Sequence, residues 1–191
     1  MTNSVLLVAD MINDLVNVDS GTPYKAELER TRAVENMAVA IAKARGAKIP
    51  VIYIRIGFSP DYRECPTQSP LFQSAKSAGL FKLGTWGTEI HPLLKPEDGD
   101  FDVVKHRVSP FYGTSLEAIL GAINADHLVI GGVSTGGVVL SVAKDGHDRD
   151  YQITTLNDCC CAGSAAENNT LIASMGRYTG ITSSTDLNFS A

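Results

Sequence analysis

Short apolar runs alternate along the chain with longer segments in which apolar positions recur every three or four residues. The runs Val5–Ala9, Pro50–Arg55, Asp102–Lys105, His127–Gly131 and Gln152–Leu156 read as strands, with a weaker sixth around Thr179–Ser183. Their continuous Val, Ile and Leu character predicts cover on both faces, which is the habit of a mostly parallel sheet. Between the first two runs, Lys25–Arg45 places Leu28, Ala33, Val34, Met37, Ala38, Ile41 and Ala42 on one helical face, and Gly46 follows as a stop. Further helices are predicted over Thr114–Ile123, from near Gly136 past Ala143, and over Ala165–Arg177. The resulting βαβ alternation gives an α/β fold: a single three-layer αβα domain over residues 1–191 with a mostly parallel, Rossmann-like sheet. One stretch breaks the pattern. Gly57 to Gly99 is rich in Pro, Ser, Gly and Lys, holds the lone tryptophan, Trp86, and has no clean period. A connection this long inside a compact domain is expected to serve function or an interface.

Composition narrows the function classes. At 191 residues the chain can bury a core without disulfides or a structural metal. A net charge of −5 has the wrong sign for a domain that lives on nucleic acid or anionic lipid. The first apolar run ends at Asp10 and has no basic flank, so no targeting segment and no membrane span are expected. Cys65, Cys159, Cys160 and Cys161 match neither a disulfide framework nor a zinc site, which suits a reducing, cytoplasmic setting.

In an open parallel sheet, ligands bind beyond the carboxyl ends of the strands. Standing there are Asp10, Arg55, Lys105, the Gly132–Gly137 loop and Asp158. Gly132-Val133-Ser134-Thr135-Gly136 matches G-x-S-x-G, and taken alone it reads as a nucleophile elbow. That arrangement needs a histidine after the acid, and none follows Asp158. The dinucleotide fingerprint also fails, because Asp10 stands where a pyrophosphate would sit.

The positions taken together are more specific. Asp10-Met11-Ile12-Asn13-Asp14-Leu15 resembles the D-x-x-N-D-F segment that opens the isochorismatase-like hydrolases, a superfamily that includes nicotinamidases and N-carbamoyl amidohydrolases. Lys105 with Ser109, Phe111, Gly113, Thr114 and Leu116 resembles the family's K-x-x-x-S-x-F-x-G-T-x-L string, and Gly132-Val133-Ser134-Thr135 resembles its G-V-x-T turn. The resemblance implies catalytic roles for Asp10 and Lys105. It also implies a cis peptide at Val133–Ser134 that turns backbone N–H groups into the pocket, and a cysteine nucleophile three residues after Thr135.

That last position is Val138. Thioester chemistry needs a thiolate, and valine offers no lone pair. The branch of the family that lacks the cysteine hydrolyses a vinyl ether by protonation. The resemblance therefore implies a hydrolase for a small anionic metabolite, isochorismate or a related enol-pyruvyl ether, using Asp10 and Lys105 without a covalent intermediate. Substrate contacts are expected from Arg55, Phe111, Val133, Ser134, Gly137 and Val138. Burial beside Val138 would raise the pKa of Asp10 and Lys105 would lower it, so the sequence leaves the net direction open. Two alternatives stand: a silent relative that binds a metabolite or protein partner, and an amidohydrolase using a non-standard nucleophile such as Cys160. No metal or other cofactor is expected, since Asp61 has no histidine near it before His91. Family members commonly assemble as dimers or larger oligomers, which makes Gly57–Gly99 a candidate contact in a homodimer or tetramer.

Overall fold

A computed structural model describes residues 3–189. Six parallel strands, β1 (Ser4–Ala9), β2 (Val51–Ile56), β3 (Phe101–Lys105), β4 (His127–Val133), β5 (Gln152–Cys161) and β6 (Gly180–Thr182), form one sheet in the order β3-β2-β1-β4-β5-β6. The strand order reverses between β1 and β4. In such sheets the crevice for ligands opens at that reversal, beyond the strand ends.

The period of two in β1 builds two cores from one strand. Leu6 and Val8 point to one face, where they meet Met37, Ala40 and Ile41. Val5, Leu7 and Ala9 point to the other, against Leu116 and Leu120 and against Val142 and Ala143. Helices α2 (Lys25–Thr31) and α3 (Ala33–Gly46) cover the first face, following the short helix α1 (Asn13–Val16). Helices α5 (Leu116–Ala122), α6 (Leu140–His147) and α7 (Ala165–Met175) supply the second, after α4 (Pro70–Ser77) in the long connection. This is the expected three-layer αβα architecture. No helix among the described residues is long and apolar enough to cross a membrane.

Three elements depart from the sequence reading. The helix predicted over Lys25–Arg45 is two helices, because Arg32 sits at φ 56° and the Asn36 side chain donates to the freed Thr31 carbonyl at 3.0 Å. The helix predicted from Gly136 starts with a wide turn over Thr135–Val139, where Gly137 is non-helical, and becomes regular only at Leu140. Strand β5 continues past Leu156 to Cys161, with a register shift that pairs Ile130 with Thr155 but Gly132 with Cys160.

Residues 57–99 fold back over the strand ends instead of projecting. Ser69 caps α4 through the Phe72 N–H, Pro70 opens the helix, and Phe72 and Ala75 turn inward. With Ile12, Ile56, Phe58, Tyr62 and Phe81 they make a third, smaller core.

Candidate active site

Asp10 follows the last residue of β1 at φ 52°, and its N–H donates to Ile54 of β2 at 2.7 Å. One carboxylate oxygen accepts from the Ile56 N–H at 2.6 Å; the other lies 2.8 Å from Lys105 Nζ. Lys105 ends β3, on the far side of β2 from β1, so its long side chain crosses over β2 to reach the acid. Both side chains are buried, with 5% and 3% of their surfaces exposed. The lysine also donates to the Arg107 carbonyl at 3.1 Å. Burial raises the Asp10 carboxyl above its ordinary 3.8, outweighing the opposing pull of Lys105 and of the Ile56 N–H. Desolvation thus decides the contest that the sequence left open.

The pair opens on a chamber of about 90 Å³ whose other walls are almost wholly apolar. Val133, Ser134, Gly137 and Val138 contribute from the β4 exit, and Leu71, Phe72 and Phe81 from the long connection. The Val133–Ser134 peptide is cis, as the resemblance implied. Gly132 makes this loop possible, since a Cβ there would lie well inside contact distance of the Ala9 carbonyl oxygen. Val138 is buried at the position where a nucleophile was expected, and the nearby Ser141 hydroxyl donates to the Val138 carbonyl at 2.8 Å.

No histidine lines the chamber. His106 and His127 bond to Gly57 and to Ser4 and Thr154, His91 caps the turn at Leu93, and His147 packs on Tyr178. Ser134 therefore has no triad around it. The three consecutive cysteines lie within β5, all fully buried. Burial pushes the Cys160 and Cys161 thiols up to about 12, which removes the thiolate a covalent mechanism needs.

Three expected convergences do not form. Arg55 lies on the opposite sheet face from Lys105, because it neighbours Ile56, the partner of Lys105 in the ladder. Its guanidinium forks onto Asp102 at 2.8 and 2.5 Å and donates to the Thr88 carbonyl. Phe111 packs into the second core, 6.1 Å from the Tyr151 ring and 4.7 Å from the Arg149 guanidinium. Asp158 sits in the β5 irregularity and accepts from the Ser184 N–H and hydroxyl at 2.8 and 2.6 Å, tying down the C-terminal segment.

The residues that close the chamber stand away from the strand ends. Asn13 and Asp14, seen only as part of a motif, hold the long connection in place. The Asn13 N–H donates to Glu89, its amide to Trp86, and the Asp14 carboxylate accepts from the Phe81 N–H at 2.7 Å. The available signal was the set of aromatic residues scattered through a stretch with no period. Asp61 pairs with Arg63 at the surface, and among the described residues no group of three or more His, Cys, Asp or Glu is placed to hold a metal ion.

Comparison with known proteins accords with this geometry. The Isochorismatase domain profile matches residues 4–186. A ureidoacrylate amidohydrolase, RutB, of Methylorubrum extorquens is 34% identical over 130 residues, which cover 62% of this chain and 52% of that protein. The chain thus spans about half the length of this relative. Among solved structures, an isochorismatase family protein from Desulfovibrio vulgaris superposes with a TM-score of 0.86 at 24% identity, over 97% of this chain and 96% of the other. N-carbamoylsarcosine amidase from Thermoplasma acidophilum gives 0.78 at 25% identity, over 98% and 99%. The chain belongs to the isochorismatase family of hydrolases.

Proposed function

We propose that the protein hydrolyses a small molecule bearing at most one negative charge by acid–base chemistry of Asp10 and Lys105, with water as the nucleophile. The observation that carries this reading is the buried Asp10–Lys105 pair, which opens on an apolar chamber with valine where a covalent nucleophile would stand. A raised pKa suits Asp10 to hold a proton and give it to a bound substrate. As Asp10 becomes charged, Lys105 stabilises the carboxylate it leaves behind. Water then forms the new bond to the electrophilic carbon, the leaving group departs, and the proton shed by water returns to Asp10.

The lining argues against a dianion such as isochorismate itself. Lys105 is the one cation among the chamber residues, and its ammonium is hydrogen-bonded to the Asp10 carboxyl instead of standing free in the chamber. Two bond types remain compatible. An enol ether is cleaved after protonation and needs no protein nucleophile. A ureido or amide bond is favoured by the names of two similar proteins, an amidohydrolase and an amidase. The second reading is a protein that binds such a molecule without turning it over, which the missing nucleophile favours.

A panel of ureido acids, primary amides and enol-pyruvyl ethers, followed by release of ammonia and of pyruvate, tests the proposal and separates the bond types. At least one member should turn over, Asp10→Asn should slow it by about 10²-fold or more, iodoacetamide should leave the rate intact, and intact mass should show no adduct. Wild-type rates equal to those of Asp10→Asn across the panel overturn it, and a member that then binds and is recovered unchanged supports the binding-only reading.

A further inference from the structure

The turn that leaves β3 and the segment around Arg63–Thr67 enclose a second and more open cavity of about 430 Å³. Its walls include Arg63, Glu64, His106, Arg107 and the exposed ring of Tyr112. Arg107 sets it apart. Arg30, Arg32, Arg45, Arg55, Arg63 and Arg149 each stand within ion-pair distance of a carboxylate. Arg177 is exposed to solvent. Arg107 is half-buried and has no carboxylate partner among the described residues. Its guanidinium is nevertheless held in place: Nη1 donates to the Glu64 carbonyl at 3.0 Å and to the His106 carbonyl at 2.6 Å.

A half-buried guanidinium costs desolvation, and neutral carbonyls return only part of it. Fixing one end leaves the other N–H donors oriented as a fork, the arrangement that matches an oxyanion. The neighbouring groups do not supply that anion. Glu64 lines the cavity, but its carboxylate is engaged by the Ser59 N–H at 3.0 Å and by the Ser59 hydroxyl. Arg63 adds positive charge at the rim, partly offset by Asp61 at 2.8 Å. His106 donates through Nδ1 to the Gly57 carbonyl at 2.6 Å and stacks on the Phe58 ring.

We propose that this groove is a binding site for a small oxyanion, a phosphate or a carboxylate, received by Arg107 with Arg63 at the rim. The site stands independently of whether the chamber turns a substrate over. Its floor and the acid–base pair are nonetheless neighbours, since the Arg107 carbonyl accepts from Lys105.

Calorimetric titration of the full-length protein with inorganic phosphate in one arm and succinate in the other is the test. At low salt, saturable binding of at least one anion is expected, weakened by added chloride. Phosphate alone binding identifies a phosphoryl group as the ligand chemistry; succinate alone identifies a carboxylate. Arg107→Gln should weaken it by about tenfold or more, the worth of one charge-assisted contact, and exposed Arg177→Gln should leave it unchanged. Because Arg107 also supports two backbone carbonyls, a second variant guards against misfolding. Thr67→Glu, at an exposed wall position, puts a carboxylate into the groove to occupy the guanidinium and should abolish binding in a folded protein. Absence of saturable binding for both anions, or wild-type affinity in both groove variants, overturns the proposal.

Discussion

Lys105 and Arg107 are two residues apart on one turn, yet the fold treats their charges in opposite ways. Lys105 is sealed in an apolar wall and faces an internal carboxyl group at 2.8 Å. Arg107 is held by neutral carbonyls over an open groove. A cation whose acidic partner is built into the protein is arranged for proton chemistry or for stability. A cation fixed without one is arranged for a partner that arrives from outside.

The sharpest way to break this comparison is to delete the partners and read stability. Asp10→Ala strands the Lys105 ammonium in the interior and should cost about 3–5 kcal/mol in urea unfolding. Adding Lys105→Met should recover most of that loss. Arg107→Met removes hydrogen bonds to two carbonyls and no ion pair, so its cost should stay under about 2 kcal/mol. Equal costs for Asp10→Ala and Arg107→Met would mean that the two cations are not held differently after all.

Next in size is the clamp that closes the chamber. Asp14→Ala leaves the Phe81 N–H without its acceptor and opens space beside Gly87, whose backbone packs against that carboxylate. A loss of about 1–3 kcal/mol is expected. Amide exchange over residues 81–90 should quicken while exchange in β1 stays as it was. Unchanged protection at Phe81 would show that the long connection is held down without Asp14.

Much of this was legible in the residues, and the rest was hidden for physical reasons. The strands were readable because burial on both faces forces unbroken runs of Val, Ile and Leu, as in Leu6, Leu7 and Val8. Asp10 and Lys105 were readable because the strand ends of a parallel sheet collect ligand chemistry, although their contact across β2 depends on side-chain reach. Arg55 also stood at a strand end, but a one-residue offset in a period of two placed it on the wrong face. Phe111 could not be assigned to core or pocket wall, since an aromatic ring suits both. Residues 57–99 were opaque because their order comes from contacts distant in sequence, such as Asn13 to Glu89 and Asp14 to Phe81. No local period records such contacts.

The pH dependence probes the chamber at intermediate scale. The folded-state value of Asp10 is raised above its unfolded value near 3.8, so the folded protein holds this proton more tightly than the unfolded chain. Its contribution to stability is therefore fully present below about pH 3.8 and is lost as pH rises through the raised value. The slope in that window is at most about 1.4 kcal/mol per pH unit. The stability of wild type minus that of Asp10→Asn should fall over this window and then level off. A difference that rises with pH would mean that Lys105, and not burial, dominates the acid.

The smallest change in stability is expected where the chamber receives the group it lacks. Val138→Cys exchanges one small apolar side chain for another in a buried wall, and a swap of near-equal volume should cost less than about 1.5 kcal/mol. The chemical consequence is larger. The new thiol would line the chamber with the Asp10–Lys105 pair, whereas the native Cys160 and Cys161 thiols are buried and pushed up to about 12. Iodoacetamide should therefore label residue 138 before the thiols of β5, read by peptide mass spectrometry. Above the raised Asp10 value the ionised acid holds the lysine's charge, which then does little to draw a proton from the thiol, and labelling there should quicken further when Asp10 is replaced by Asn. Labelling of Val138→Cys at the same rate with and without Asp10 would instead mean that the lysine keeps charge to spare for the chamber, and the contrast with Arg107 would narrow to one of burial alone.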